Sequence, residues 1–421
     1  KTASPSKKEM PHIEVDRTFD GWLQRTLKLK AQQRLEAVRL KLQEFNPKFN
    51  GTFQGPVVGK TDPPIAESNQ ILQLAFSTDE VTDIHPLLAI PELRRLGLHG
   101  GTTGQLTDLS PLRGMQLTQL RLYRNQELQD LSPLAGMPLT VLHVYRTRVK
   151  DLKPLLGMPL EELLIEDSDF ADFSILPRFP LKTVRVTLSN GQQLAELRKL
   201  WHTTEINSHS RQPFWRANDP AHADYLLWIE EARAMKGEGW KQSIIDKLIE
   251  RNPGFDGNVK LASPAKADRL VVIHSRKLVD ISPLRGLPYL TGLTIEGDPN
   301  EALEDITPLR GYQMRTFVCP NTGISDLWTL AGMPLTFVNV SNTKVSDLRP
   351  LRGMRLESLH CDTATIPNLA DLRGMQIRKL ECGERLAQDL ESIRSLVGLE
   401  EINGMPVAQF WKQTPDAVPE K

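Results

Sequence analysis

A pattern of apolar residues, L-x-x-L-x-L, recurs along most of this chain at intervals of 21 to 24 residues. In the first of two arrays, the last apolar residue of each copy falls at Phe76, Leu98, Leu122, Val144, Ile165 and Val186. In the second array it falls at Ile273, Ile295, Cys319, Val340, Cys361 and Cys382. The steps are 22, 24, 22, 21 and 21 residues in the first array and 22, 24, 21, 21 and 21 in the second. Because even the long second step is shared, we infer that one module of roughly 200 residues occurs twice.

Each repeat combines a predicted strand with a second buried segment. In the fourth copy, Leu142 and Val144 point inward and their neighbours outward, because side chains alternate along a strand. Val149, Leu152 and Leu155 follow at spacing three, which predicts a 3₁₀ turn or a short helix. This period is typical of a leucine-rich repeat solenoid. We therefore predict an α/β fold of two tandem leucine-rich repeat solenoids, with parallel strands on the concave face, 3₁₀ or short helical turns on the convex face, and helical N-terminal caps.

The predicted convex segment carries an acid or amide at the same place in most copies. These residues are Asp83, Asp108, Asp130, Asp151, Asp172, Asp280, Asp305, Asp326, Asp347 and Asn368. A ladder of calcium ligands would need about six to eight oxygens at each site. An Asp or Asn just before a helical turn instead accepts backbone N–H groups two or three residues on, which stabilises the turn by about 1 kcal/mol. We interpret these residues as caps.

Helical spacing of apolar residues predicts a helical cap at the start of each module, over Phe19–Phe45 and over Ala223–Arg251. Both segments end in the motif N-P-x-F-[ND]-G, at residues 46–51 and 252–257. This match supports the duplication independently of the leucines.

Each array is also followed by a closing segment. Short amphipathic helices are predicted over Gln192–Trp201 and Leu390–Leu396, and a Phe-Trp pair follows each of them. We interpret Phe214-Trp215 and Phe410-Trp411 as plugs over the last repeat, because a solenoid must cover its open ends. The alternative is that these pairs form an exposed aromatic site for a partner.

The domain organisation follows from these signals. We predict a tail at 1–11, a first module at 12–216 (helical cap 19–45, repeats about 70–190, C-terminal cap 191–216), a second module at 217–412 (helical cap 223–251, repeats about 268–385, C-terminal cap 386–412) and a tail at 413–421. The chain does not begin with Met, and its first residues lack the apolar core of a signal peptide. We interpret it as a processed protein or a piece of a longer one.

Composition excludes several kinds of partner. Lys plus Arg and Asp plus Glu number 52 each, so no charge bias indicates nucleic acid or a membrane surface. No apolar run approaches the ~20 residues that a membrane span needs.

Three cysteines, Cys319, Cys361 and Cys382, are too few for a disulfide framework and fall on inward strand positions. Free buried thiols favour a reducing, cytoplasmic compartment, although Cys361 and Cys382 on adjacent strands leave a disulfide open.

The units D-[LI]-[ST]-P-L and G-M-P-L-T-x-L resemble the internalin-like class of leucine-rich repeats. Together with N-P-G-F-D-G at 252–257 and E-I-N-G…F-W-K at 401–412, they resemble repeat regions of planctomycete-type bacterial proteins over about Phe19–Lys412. The first module departs from this pattern at Ser208, where Gly is expected after Asn. Such regions often follow a serine/threonine protein kinase domain. The resemblance therefore implies a recruiting or regulatory region of a signalling kinase.

No motif for catalysis is present in the chain. The sequence lacks G-x-S-x-G, H-E-x-x-H, a P-loop and the kinase signatures V-A-I-K, H-R-D and D-F-G, and its histidines are scattered. We therefore predict that the chain is not an enzyme, and we expect no catalytic residue, no cofactor and no metal ligand. A solenoid offers an extended concave surface instead, so the predicted function is protein binding.

Outward residues of the strands define the predicted binding site. They are Arg95, His99, Arg121, Tyr123, His143, Tyr145, Arg185, Phe337, Asn339 and His360. Arg and Tyr are enriched at protein interfaces because they bury area and still hydrogen-bond. Since the first face is richer in arginine, we expect an acidic protein partner there. The alternatives are a solvated face without a partner, and a free-standing adaptor or cell-envelope binding protein.

Overall fold

The computed structural model describes residues 18–54, 70–102, 104–235, 239–262, 270–274, 277–296, 303–362 and 365–413. The chain divides into two compact units, which we call unit 1 (residues 1–171) and unit 2 (residues 172–421). The tail predicted at 1–11 and residues 414–421 of the second tail lie outside the described residues.

Unit 1 opens with two helices, α1 (Phe19–Leu27) and α2 (Ala31–Phe45), where the sequence predicts one. Thr18 caps α1 by accepting the Gly21 N–H. No Gly or Pro separates the two helices, so the break carries no local signal. Thr26 and Ala31 are buried on either side of it, and both helices pack on the first convex turn. Packing, not local propensity, ends α1.

Five short strands follow in unit 1: β1 (Gln73–Ser77), β2 (Arg95–His99), β3 (Gln119–Arg121), β4 (Val141–His143) and β5 (Glu162–Leu164). Each strand pairs in parallel with the next, so that the inward residues Leu74, Leu96, Leu120 and Leu142 lie side by side. The convex side consists of 3₁₀ turns at His85–Ala89, Ser110–Leu112, Ser132–Leu134 and Lys153–Leu155. The apolar residues of the strands and turns form the core between the two sides.

Unit 2 starts with the end of the first array. Its elements there are the 3₁₀ turn Phe173–Arg178, β6 (Thr183–Arg185), α3 (Gly191–Arg198), β7 (Glu205–Ile206), β8 (His209–Ser210) and α4 (Arg211–Asn218). Strand β6 pairs in parallel with β7, and β7 and β8 form a hairpin. The helix predicted over Gln192–Trp201 is thus present as α3, and it ends three residues earlier than expected.

The second helical cap is again a pair of helices, α5 (Pro220–Ala234) and α6 (Gly239–Arg251), where the sequence predicts one over Ala223–Arg251. Helix α5 starts three residues before the predicted boundary. Asp219 accepts the His222 N–H at its N-terminus, and Pro220 occupies the first turn. The Asp-Pro pair is a helix-start signal that the apolar periodicity alone missed.

The second array forms a nine-stranded sheet. Its strands are β9 (Val259–Ala262), β10 (Leu270–His274), β11 (Gly292–Glu296), β12 (Thr316–Val318), β13 (Phe337–Asn339), β14 (Arg355–His360), β15 (Gln376–Glu381), β16 (Glu401–Ile402) and β17 (Met405–Pro406). The first and last pairs are antiparallel and the others parallel. Its 3₁₀ turns are Ser282–Gly286, Thr307–Leu309, Trp328–Leu330, Arg349–Leu351 and Ala370–Leu372, and its other helices are α7 (Gly383–Leu386), α8 (Leu390–Arg394) and α9 (Val407–Gln413).

All twelve residues predicted to be the last inward position of a strand are buried. They include the three cysteines, which carry free thiols. Burial raises the pKa of Cys361 and Cys319 and raises the pKa of Cys382 to about 12. The two-array register read from the sequence is therefore confirmed in the core.

The convex acids act as caps, as predicted. In each copy the side chain accepts the backbone N–H two residues on, with distances of 2.7 Å at Asp130 and 3.0 Å at Asn368 among the ten. The acceptor lies just before the 3₁₀ turn and orients its first N–H. One carboxylate or amide per repeat is enough for this role, which explains why Asn368 substitutes for Asp.

The N-P-x-F-[ND]-G motif places a buried asparagine between the helical cap and the first repeat. Asn46 donates to the carbonyls of Leu42 and Asp83 and accepts the N–H groups of Thr82 and Asp83. Asn252 makes the same four bonds, to the carbonyls and N–H groups of Leu248, Val279 and Asp280. We call these residues the asparagine clamps. They join each cap to its array by the same contacts, which extends the duplication from sequence to geometry.

The Phe-Trp pairs differ between the two arrays. Phe214 and Trp215 are buried, with 4% and 2% of their surface exposed. Phe410 and Trp411 pack against the second core but are only half-buried. The plug interpretation therefore holds for the first pair and in part for the second.

Candidate functional site

The strands of unit 1 hold the predicted site residues in rows. In one row Gly97, Arg121, His143 and Leu164 are direct neighbours across β2, β3, β4 and β5. A repeat places its outward side chains one strand spacing, about 4.8 Å, from those of the next repeat. Residues 21 to 24 apart in sequence are thereby brought into contact on the concave face.

Three rings just beyond this row form what we call the aromatic ladder, His99, Tyr123 and Tyr145. The ring centroids of His99 and Tyr123 are 4.9 Å apart, and those of Tyr123 and Tyr145 are 4.7 Å apart. The planes are parallel within 1° and 3°. Because the rings cover one another's faces, the ladder presents mainly ring edges, and His99 is only 9% exposed.

Burial changes the acid–base behaviour of the ladder. It lowers the pKa of His99, so that the neutral imidazole is favoured. It also raises the pKa of Tyr145, which keeps the phenol protonated and able to donate a hydrogen bond. The Nε2 atom of His99 has no hydrogen-bond partner among the described residues. An unsatisfied buried polar atom costs about 1–3 kcal/mol, so this arrangement does not serve stability.

Two arginines that follow the strands were not among the predicted site residues. Arg124 and Arg146 have positive φ angles of 62° and 55°. At the matching positions of the second array stand Asn321 and Asn342, with φ angles of 59° and 56°. Asn tolerates this left-handed conformation, whereas for Arg it costs about 1 kcal/mol. In the sequence they stand just past the strands of the first concave face, and Asn takes their place in the second module.

The side chains of these arginines surround the ladder with positive charge. Arg124 donates to the Gly101 carbonyl over 2.7 Å, and Arg146 lies 3.4 Å from Asp167 with half of its surface exposed. Arg121 forms no ion pair with any described residue. We call Arg121, Arg124 and Arg146 the basic rim.

The next repeat, which contains β5, carries acidic side chains on this face, beginning with Glu162. His143 Nε2 lies 2.6 Å from Glu162 Oε1, and the His143 side chain is only 13% exposed. Glu166 and Asp167 follow in the same repeat. The concave face of unit 1 is therefore basic along β2, β3 and β4 and acidic at β5. Leu164, which the alternation of side chains places outward, is buried.

Two further predicted site residues of the first array, Arg95 and Arg185, are not part of the aromatic ladder. Arg95 begins β2 and is half-exposed. Arg185 belongs to unit 2, where its guanidinium lies 4.0 Å from Glu205. The structure therefore joins His99, Arg121, Tyr123, His143 and Tyr145 into one patch.

The second array brings its own predicted residues together. The rings of Phe337 and His360 have centroids 5.2 Å apart. His360 also hydrogen-bonds the Ser358 hydroxyl over 2.9 Å, and Asn339 accepts the Ser341 N–H. This cluster is smaller than the ladder and has no basic rim.

Within the described part of the chain, no group of three or more His, Cys, Asp or Glu side chains could hold a metal ion. None of the described helices is both long and apolar enough to cross a lipid bilayer.

The chain matches no protein-family model and no curated protein. Among solved structures it is similar to an internalin (InlF) from Listeria monocytogenes, at 16% identity over 79% of this chain and 86% of that chain, with a TM-score of 0.27. It is also similar to internalin C2 of that organism, at 16% identity over 70% and 79% of the chains and a TM-score of 0.23. A leucine-rich repeat protein of Leptospira interrogans is 11% identical over 79% and 95%, with a TM-score of 0.22.

Likeness at this level carries no argument about function. The fold class follows instead from the repeat period, the parallel strands in register and the capped convex turns. These features define a leucine-rich repeat protein, with a helical cap at the start of each of its two arrays.

Proposed function

We propose that this chain is a non-catalytic binding scaffold whose protein partner docks on the concave face of unit 1, across the aromatic ladder and the basic rim. The proposal rests on two arginines with a left-handed backbone conformation, Arg124 and Arg146. They lie beside His99, whose buried Nε2 has no hydrogen-bond partner among the described residues. Backbone strain and unpaired polar atoms lower stability and are retained at functional sites. The second array avoids the backbone strain at the same positions with asparagine.

The side chains of the aromatic ladder and the basic rim indicate which chemical groups the partner would carry. Tyrosine hydroxyls and ring edges provide apolar area with hydrogen-bonding ability, and Arg121 provides a cation that no described carboxylate neutralises. An acidic protein segment matches this part of the face. Near Glu162 and Glu166 the same partner would carry a basic or neutral residue.

The test is affinity capture with immobilised protein in extracts of the source cells. Arg121→Glu should reduce the retained partner at least tenfold, because it replaces attraction by repulsion at the centre of the patch. Arg185→Glu, in unit 2, tests a further predicted arginine of the first array in the same assay. The matched control is Arg113→Glu, which changes the same charge at an exposed convex position and should leave capture unaffected. Equal capture by Arg121→Glu and wild type would contradict the proposal.

We also propose, from the resemblance of the G-M-P-L-T units alone, that the scaffold recruits or regulates partners for a bacterial serine/threonine kinase. An antibody against this chain tests the link in its source cells. A native band larger by a kinase domain would support it. A band near 47.5 kDa would favour a free-standing adaptor or a cell-envelope binding protein instead.

A further inference from the structure

In the first array, helix α4 carries Phe214 and Trp215, and the next helix, α5, covers it. Helix α5 packs on α4, and its His222 ring meets the Trp215 ring edge-to-face with centroids 4.5 Å apart. Arg216 of α4 donates to Asp224 of α5 over 2.6 Å. Trp201, in the loop after α3, has its ring centroid 6.0 Å from that of His222. As a result Trp215 is only 2% exposed.

Two further ion pairs complete this junction. Arg198, at the end of α3, donates to Asp219, the residue that caps the N-terminus of α5. On the far side of α5, Glu230 accepts a hydrogen bond from Arg211 of α4. The covering helix therefore supplies three acids, and the first array supplies three arginines.

The same end of the second array is built alike, but the described residues include no helix that follows α9 as α5 follows α4. The ring centroids of Phe410 and Trp411 are 5.1 Å apart at 79°, against 5.1 Å and 83° for Phe214 and Trp215. Both aromatic side chains are only half-buried. Val397 stands at the position of Trp201 and is 52% exposed.

Two of the three basic positions of the junction are also retained at this end, whereas Val407 stands at the position of Arg211. Arg394 and Lys412 stand 196 residues after Arg198 and Arg216. Arg394 lies over the Trp411 ring at 5.1 Å, whereas Arg198 reaches the helix-capping Asp219. Lys412 is exposed and forms no ion pair with a described residue. The end of the second array therefore has the same aromatic pair, and two of the same basic positions, that bind the acidic helix α5 at the end of the first array.

The first helix of the chain is not a copy of the covering helix. Aligned through the asparagine clamps, α1 and α5 share the stacked pairs Phe19–Trp22 and Tyr225–Trp228 that face their own modules. The two helices differ on the side of α5 that carries Glu230, which bonds Arg211 of α4. On that side α5 has the buried Leu226, whereas the aligned residue of α1 is the exposed Asp20. The described part of α1 therefore presents a polar outer face, which suits a terminal cap and not a second copy stacked on α9.

We propose that the end of the second array, formed by Arg394, Val397, Phe410, Trp411 and Lys412, docks the acidic N-terminal capping helix of another leucine-rich repeat module. That helix would resemble α5, with an Asp-Pro start, an acid five residues after the capping Asp, and an apolar face. This surface is independent of the concave face of unit 1, so either proposal can fail without the other.

The probe is a fluorescein-labelled peptide with the sequence of residues 219–251, which includes both α5 and α6. Titration of the full chain into this peptide, followed by fluorescence anisotropy, should give saturable binding. Trp411→Ala and Lys412→Glu should each weaken binding at least tenfold. The control Arg113→Glu, an exposed convex change, should leave the affinity unaltered.

A charge swap makes the test independent of folding defects. A peptide carrying Asp224→Lys should bind the wild-type chain at least tenfold more weakly and should recover on the Lys412→Glu chain, because the ion pair is restored with reversed sign. Absence of binding by the 219–251 peptide, or binding that ignores both Lys412 and Trp411, would overturn the proposal. Self-association of the chain that is abolished by Trp411→Ala would overturn it too, since the occupant would then be a second copy.

Discussion

At the scale of single residues, the two asparagine clamps hold each helical cap against its array. Asn46 and Asn252 each bond four backbone groups, one at the end of a helix and three in the first repeat of an array. Both side chains are buried, so water cannot replace these bonds. A hydrophobic residue of the same size would remove the side-chain partner of the three groups in the repeat, whereas the helix carbonyl would keep its bond to the backbone N–H of residue 46 or 252.

We predict that Asn252→Ala lowers the free energy of unfolding by about 2–4 kcal/mol, because several buried backbone groups lose their partners at once. Urea denaturation followed by circular dichroism measures the change. Gln242→Ala, on the exposed face of α6, serves as the control and should shift stability by less than about 0.5 kcal/mol. A loss for Asn252→Ala as small as that of the control would show that the clamp is dispensable.

For Arg124 and Arg146, which have positive φ angles, we predict opposite effects of substitution on stability and on binding. Arg146→Asn should raise the free energy of unfolding by about 0.5–1 kcal/mol, because Asn relieves the backbone strain at a φ of 55°. The same change should weaken capture of the partner. The reciprocal variant Asn342→Arg, at the matching position, should lose stability, since it also breaks the Asn342–Asn321 side-chain bond. Identical stability of wild type and both variants would remove the strain argument.

At the scale of elements, the junction inside unit 2 depends on two histidines. His202 donates to the Arg310 carbonyl, and burial, with Arg285, Arg310 and Arg233 nearby, lowers its pKa to about 4. His222 lies between Trp201 and Trp215. Its burial among Arg198, Arg211 and Arg251 also lowers its pKa to about 4, against the opposing effect of Asp219.

Both histidines therefore make stability depend on pH in the same direction. An unfolded histidine titrates near pH 6.5, so the unfolded chain binds more protons between about pH 6.5 and 4. The contribution is complete above pH 6.5 and is lost as the pH falls toward 4. We expect a loss of about 1–3 kcal/mol between pH 7.5 and 5, measured by urea denaturation at each pH.

The double variant His202→Gln/His222→Gln should reduce this pH dependence. His209→Gln, an exposed position on β8, should leave it as in wild type. If the double variant retains the full pH dependence, the titrating groups lie elsewhere.

At the scale of the whole molecule, the boundary between sequence repeats and the boundary between compact units are different. The sequence places the second module at 217–412, whereas unit 2 begins at residue 172. Within unit 2 the end of the first array contacts the convex turns of the second. Trp201 Nε1 donates to the Thr307 hydroxyl over 3.3 Å, and Arg178 lies 2.6 Å from Asp326.

We predict that a fragment of residues 217–421 unfolds at a lower urea concentration than the same residues in the full chain, because it loses these contacts. Hydrogen exchange at Leu309 and Leu330 should report the loss, since both residues lie in the convex turns concerned. Trp201→Ala in the full chain should reproduce part of the effect. Equal protection in fragment and full chain would make the second module independent.

The sequence by itself determined the repeat period, the inward register of both arrays and the caps of the convex turns. Each of these depends on local alternation or on a residue and the backbone two positions away. Leu142 and Asp130 could therefore be placed without knowing their neighbours in space. The helix starts at Asp219-Pro220 were readable in principle, because capping is local too.

Only the tertiary structure decided which outward residues meet. The stacking of His99, Tyr123 and Tyr145 depends on strand register across repeats, and the break between α1 and α2 depends on packing against the first repeat. The difference between the buried Trp215 and the half-buried Trp411 has the same origin. The two pairs share their residue types and spacing, and the packing of α5 on the first pair, a contact between elements, accounts for its greater burial.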